Sequence, residues 1–225
     1  QGACFIMRLT EYNTIAFDCD GIILDSNKVK TNAFYNATVT FSEKAAIAIR
    51  DYHVANGGIS RFKKFEWVTN EYLSHLDFDD TYNTLLKSYA NEVSHGLSTC
   101  EINPTLTSLK ALTPNAKWLV VSGGAQTELR ELFRKRELDK LFPNGIFGSP
   151  DSKDVIFERE LANTNISGKT LFIGDSKYDF YSSTNAGLDF VFINEWTEVK
   201  DWKEFCDTNK ITYFTTLSEL ASSAD

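Results

Sequence analysis

Thr14-Ile15-Ala16-Phe17-Asp18-Cys19-Asp20-Gly21 is the stretch on which the fold turns. A short apolar run ends abruptly on two acids and a glycine. Such a run reads as a strand covered on both faces, closed by a turn. Trp118-Leu119-Val120-Val121, Thr170-Leu171-Phe172-Ile173 and Phe190-Val191-Phe192-Ile193 have the same character. Helical patterns lie between the later runs, over 125–138 and 153–163. Buried strands alternating with helices predict an α/β fold with a doubly wound parallel sheet.

Residues 27–98 break that alternation. Val29, Ala33, Phe34, Ala37 and Phe41 recur at helical spacing, as do Phe62, Phe65, Val68, Tyr72 and Leu73. The spacing predicts an all-helical insertion over 27–98, with a core made of 7–26 and 99–225. Asn103-Pro104 marks the return to that core.

The polar residues fall where the apolar runs stop. Asp18 and Asp20 follow the first run, Ser122-Gly123-Gly124 the second, and Gly174-Asp175 the third, with Asp179 four residues on. Strand carboxyl ends of an open parallel sheet share one edge, where ligands bind. Any one aspartate could simply cap a helix or start a turn. Four carboxylates gathered in one cleft would repel one another without a cation. A hard divalent ion with oxygen ligands relieves that, and magnesium commonly joins carboxylates to a phosphate.

Asp18-Cys19-Asp20-Gly21-Ile22-Ile23-Leu24-Asp25-Ser26 resembles the DxDGxxxDS signature of the haloacid dehalogenase superfamily. Leu119 to Gly124 is similar to its second motif, and Gly148-Ser149-Pro150-Asp151-Ser152-Lys153 to its third, which ends in a lysine. Gly174 to Asp179 is similar to its fourth, GDxxxD. The order is the family's, and the motifs span most of the chain.

The resemblance implies a Rossmann-like core with a helical cap, and a Mg2+-dependent phosphohydrolase acting on a small phosphorylated substrate. Asp18 would take up the phosphoryl group as an aspartyl-phosphate. Asp20 would protonate the leaving oxygen and then deprotonate water. Asp18, Asp175, Asp179 and the backbone carbonyl of Asp20 would form the metal set. Ser122 and the Gly123 N–H would hold phosphoryl oxygens, and Lys153 would neutralise Asp18 and the transferring group.

Within the insertion, Gly58-Ile59-Ser60-Arg61 is similar to the specificity loop of the β-phosphoglucomutase-like branch. That likeness implies that Arg61 contacts the end of the substrate away from the reacting phosphate, by forked hydrogen bonds. Sugar phosphomutases of that branch carry a histidine early in the first cap helix, and Lys30 holds that place here. A phosphomonoesterase for a small metabolite such as a sugar phosphate is the leading expectation, and a β-phosphoglucomutase-like phosphomutase the alternative. Dehalogenases of the superfamily need no magnesium and lack the acid two residues after the nucleophile, so Asp20, Asp175 and Asp179 speak against that reading. A binding protein that kept only the fold should have lost motif residues, and none is missing.

Asp25 and Ser26 are expected to cap the first inserted helix. Alternation turns Cys19 to the opposite face from its acidic neighbours, as a small buried residue. His53, His75 and His95 show no metal spacing and are expected to be structural or exposed.

The 225 residues are 42% hydrophobic and 24% charged, an ordinary globular composition. A net charge of -8 without a basic run argues against a nucleic-acid or membrane surface. No run is long enough to cross a bilayer. Cys4, Cys19, Cys100 and Cys206 are widely spaced and form no CxxC pair, which fits reduced thiols in a cytoplasmic protein. A monomer or small homo-oligomer is expected. Gln1-Gly2 resembles a cleavage scar and Met7 a natural start, so residues 1–6 carry no weight in the functional reading.

Overall fold

Six strands form one all-parallel sheet in the computed structural model, which describes residues 7–223. Residues 1–6, where the sequence suggests a cleavage scar, lie outside the described residues. The strands are β1 (Thr14–Phe17), β2 (Lys117–Ala125), β3 (Ile146–Ser149), β4 (Thr170–Gly174), β5 (Asp189–Ile193) and β6 (Thr212–Phe214). Their spatial order is β3-β2-β1-β4-β5-β6. β1 is central, with Thr14 level with Lys117 on one side and Thr170 on the other.

Period-two alternation builds two cores from the same strands. Ile15, Phe17, Trp118, Val120, Leu171 and Ile173 join the larger cluster on one face. Ala16, Leu119, Val121 and Phe172 join the smaller one on the other. Each face is covered by helices, which is why the middles of these strands are apolar on both sides. The four predicted strands are present. β3 and β6 escaped the sequence reading because they are edge strands, short and only partly apolar, with β6 half-buried along its length.

Four helices follow β1: α1 (Asn27–Val39), α2 (Glu43–Ala55), α3 (Arg61–Tyr72) and α4 (Phe78–Thr99). Ser42, Ser60 and Asp77 cap the last three through their side chains. Phe34, Phe65 and Tyr89 meet at the centre of this bundle, with Phe34 ring centroids 5.1 Å from Phe65 and 4.4 Å from Tyr89. The remaining helices, α5 (Leu106–Leu112), α6 (Gln126–Lys135), α7 (Lys153–Ala162), α8 (Lys177–Asn185), α9 (Trp202–Asn209) and α10 (Leu217–Ser222), pack around the sheet. Among the described residues no helix is long and apolar enough to cross a membrane.

Candidate active site

β1 ends at Phe17, and Asp18 continues it by donating its N–H to the Ile173 carbonyl of β4 at 2.9 Å. Asp18 therefore stands at the carboxyl edge, between the two strands where the sheet order reverses. Its Oδ1 accepts from the Cys19 N–H at 2.8 Å and from Lys153 Nζ at 2.9 Å. Cys19 is buried in the larger core, on the side the alternation assigns to it.

Lys153 opens α7, where a Ser152 cap fixes the first turn. Its ammonium also donates to Asp179 Oδ1. Asp179 is the third residue of α8, in a capping box with Ser176. Asp179 Oδ2 accepts from the Asp175 and Ser176 N–H groups, so both of its oxygens have protein partners.

Asp175 follows β4, and its Oδ2 accepts from Asn27 Nδ2 at 2.8 Å. Gly21 makes that approach feasible. Its φ is +83°, and a Cβ there would lie 2.1 Å from Asp175 Oδ2. Only glycine tolerates both the left-handed backbone and the contact.

Asp18, Asp175 and Asp179 each offer an oxygen within 4.8 Å of the others, all buried. Burial, and then the charge of Asp179, pushes the Asp18 carboxyl up to about 7. Burial, followed by Asp18 and Asp179, raises Asp175 well above the usual carboxylate range. Lys153 is held above the ordinary lysine value: burial opposes its charge, but Asp179 and Asp18 outweigh burial. Ionising all three buried carboxylates against one ammonium would leave an excess of negative charge on hard oxygen donors. That donor set fits a divalent cation such as magnesium.

The Asp20 carboxylate lies apart from this trio. Oδ1 accepts from Ser26 Oγ and Oδ2 from Lys30 Nζ, each at 2.6 Å. Burial alone would raise Asp20, but Lys30 and the Ser26 hydroxyl override it and hold the carboxyl below its usual value. Ser26 stands at the N-cap position of α1 but makes no side-chain cap, because its hydroxyl is spent on Asp20.

Ser122 is fully buried, and its Oγ accepts from the Gly124 N–H at 3.0 Å. Gly123 is where the inserted helices meet the sheet: a Cβ on it would lie 2.3 Å from the Gly58 carbonyl oxygen. Arg61 is buried, its fork closed on Glu128 at 2.7 and 3.0 Å, with the guanidinium 4.5 Å from the Tyr89 ring centroid.

A narrow pocket of about 60 Å³ opens between the sheet edge and the inserted helices. Asp18, Asp20, Asp175, Gly123 and Arg61 all line it. Ser122, Lys153 and Asp179 are buried and are not among its lining residues. Sequence reasoning missed the roles of Asn27 and Lys30 as side-chain partners of Asp175 and Asp20. It also missed His53 and Lys64, which line the same pocket. His53 was expected to be structural or exposed. The basic run Lys63-Lys64 was a signal for one of these four, and the place of Lys30 in the first inserted helix for another.

An open parallel sheet with acids following its two central strands, and a buried lysine paired with Asp18 and Asp179, defines a doubly wound α/β protein with an acidic candidate site at the carboxyl edge. The model of the haloacid dehalogenase-like hydrolases matches residues 15–193, and the chain belongs to that family. No curated protein matches the chain by sequence. Among solved structures, a predicted phosphatase from Clostridium acetobutylicum superposes with a TM-score of 0.70 at 17% identity, over 94% of this chain and 97% of that one. A predicted phosphoglycolate phosphatase from Haemophilus somnus gives 0.63 at 19% identity, over 82% and 86%. Protein Tyrosine Kinase A of Mycobacterium tuberculosis gives 0.66 at 17% identity, over 95% and 98%. At such identities the likeness is one of fold, and function must be argued from the site.

Proposed function

We propose that the protein is a magnesium-dependent phosphomonoesterase for small phosphorylated metabolites, with Asp18 as its nucleophile. The observation that carries this is the buried group of Asp18, Asp175 and Asp179 at the carboxyl edge of the sheet, with Lys153 bridging Asp18 and Asp179. Residues 7–26 and 99–225 serve as the catalytic core, and 27–98 as a cap that closes over the substrate.

Asp18 and Asp175, with the Asp20 carbonyl, would hold the magnesium ion. Asp179, whose oxygens already have partners, supports it from outside and fixes Lys153. When bound, the ion neutralises the carboxylates and draws electron density from the phosphoryl oxygens. The free oxygen of Asp18 attacks phosphorus, the ester bond breaks, and an aspartyl-phosphate forms. Lys153 favours the ionised form of Asp18 against burial and offsets charge on the transferring group. The Gly123 N–H and the Ser122 turn hold its oxygens.

Lys30 keeps Asp20 ionised in the free protein. The proton for the leaving oxygen therefore arrives with the monoanionic phosphoester and passes through Asp20. Asp20, ionised again, then removes a proton from the water that hydrolyses the intermediate. The free thiols of Cys19, Cys100 and Cys206 suit work in the cytoplasm.

The test is phosphate release from a panel of small phosphomonoesters, with magnesium, with chelator, and with Asp18→Asn. Magnesium-dependent release abolished by Asp18→Asn is expected. A folded, magnesium-loaded protein that releases phosphate from none of them would refute the proposal.

A further inference from the structure

Among the described residues around the pocket, one buried lysine enters no ion pair. Lys30 meets Asp20 at 2.6 Å, Arg61 meets Glu128 at 2.7 Å, and Lys153 meets Asp18 at 2.9 Å and Asp179 as well. Lys64 also lines the pocket and is only 1% exposed, yet it enters no ion pair among the described residues. Its polar side-chain partner is His53 Nδ1, 2.8 Å from Nζ, and the Phe34 ring centroid lies 5.5 Å away.

An ammonium can only donate. Opposite a protonated Lys64, His53 would present the lone pair of Nδ1, with its proton on Nε2. Burial, and then Lys64 and Lys30, keeps the imidazole from charging, its pKa lying well below the usual value. Lys64 itself is pushed down to about 7, by burial first and then by Lys30. A cation buried against an imidazole and an aromatic face carries an uncompensated desolvation cost. An anion entering the pocket would remove it.

We propose that Lys64, oriented by His53, binds a carboxylate at the non-reacting end of the substrate, so that phosphate monoesters of small hydroxy acids are preferred. The inference rests on the phosphomonoesterase reading above. One unpaired cation matches one negative charge. A second phosphoryl group would bring almost two, into a pocket already lined by Asp18, Asp20, Asp175 and Glu198. Glu198 acts on Lys64 only from a distance: it forms no ion pair with it among the described residues and accepts from the Thr31 hydroxyl at 2.5 Å.

The test compares three two-carbon substrates that differ at one end: phosphoglycolate, 2-hydroxyethyl phosphate and ethylene glycol bisphosphate. Each is assayed with magnesium for the unaltered protein, Lys64→Met and Lys64→Arg, after a melting curve has established that each variant is folded. The unaltered protein should favour phosphoglycolate over 2-hydroxyethyl phosphate by about tenfold or more in kcat/KM, chiefly through KM. Lys64→Met should bring that ratio to about twofold or less, and Lys64→Arg should retain more of it. A ratio near one, a preference for the bisphosphate, or a ratio that survives Lys64→Met overturns the inference. Equal hydrolysis of all three would do so while leaving the phosphomonoesterase reading intact. Hydrolysis of none by folded protein would remove both. If Lys64→Met does not fold, the ratio for the unaltered protein decides.

Discussion

Replacing Lys153 by methionine isolates the electrostatics of the site, because the two side chains are similar in volume and the change leaves little cavity. The Lys153 side chain is wholly buried and is the ion-pair partner of both Asp18 and Asp179 among the described residues. Removing one partner of a buried pair typically costs about 3–5 kcal/mol, since the remaining charge stays desolvated. For a chain of this size that is a fall in melting temperature of about 6–20 °C. The loss should depend on pH. Without Lys153 the carboxylates rise further, and the folded variant escapes part of the penalty by taking up a proton. Its deficit should therefore be smaller near pH 6 than near pH 8, where Asp18 must shed that proton. Added magnesium should recover part of the loss by supplying the missing positive charge. The assay is thermal or urea denaturation of both proteins with chelator, at the two pH values, then with magnesium. A Lys153→Met protein as stable as the parent at pH 8 without metal would refute the claim that Lys153 balances this cluster.

Three further outcomes are expected. Gly21→Ala would force a side chain into Asp175 at a left-handed backbone position. It should lower kcat/KM about a hundredfold, as misplacement by about an ångström can, and should weaken magnesium binding; a kinetic assay with a metal titration checks both. In chelator, the Asp18 carboxyl sits at about 7 in the folded protein against about 3.9 unfolded. Its contribution to stability is then full below pH ~4 and lost as pH rises through ~7. Asp175 shifts in the same direction. Denaturation midpoints should fall across that window and fall less with magnesium, which competes with the protons. Lys30→Met leaves burial of Asp20 opposed mainly by Ser26, so the limb of the pH profile of kcat/KM set by Asp20 should move to higher pH. An unmoved limb would show that Lys30 does not govern that acid.

The sheet and its edge were legible because their signals are local. A strand buried on both faces carries a run of apolar residues, and β1, β2, β4 and β5 each do. Edge strands β3 and β6 need no such run and left no comparable trace. Asp18 and Asp175 could be placed from sequence because each directly follows a central strand, whose direction fixes where the next side chain goes. Ser26 shows the limit of local rules. Its type and position suit a helix cap, but a hydrogen bond to Asp20 uses the hydroxyl instead.

The sequence by itself determined the parallel α/β sheet, the helical run after its first strand, and the edge at which the acids collect. Tertiary structure decided which charge faces which. Lys30 meets Asp20, Lys64 meets His53, and Arg61 closes on Glu128 rather than standing free in the pocket. Each of these contacts joins side chains from different elements. The direction of a strand carries a side chain only as far as its own backbone reaches. The partner it finds depends on how the inserted helices pack against one another and settle on β2 at Gly123, and that packing is set by shape and volume, which a spacing of residue types does not encode.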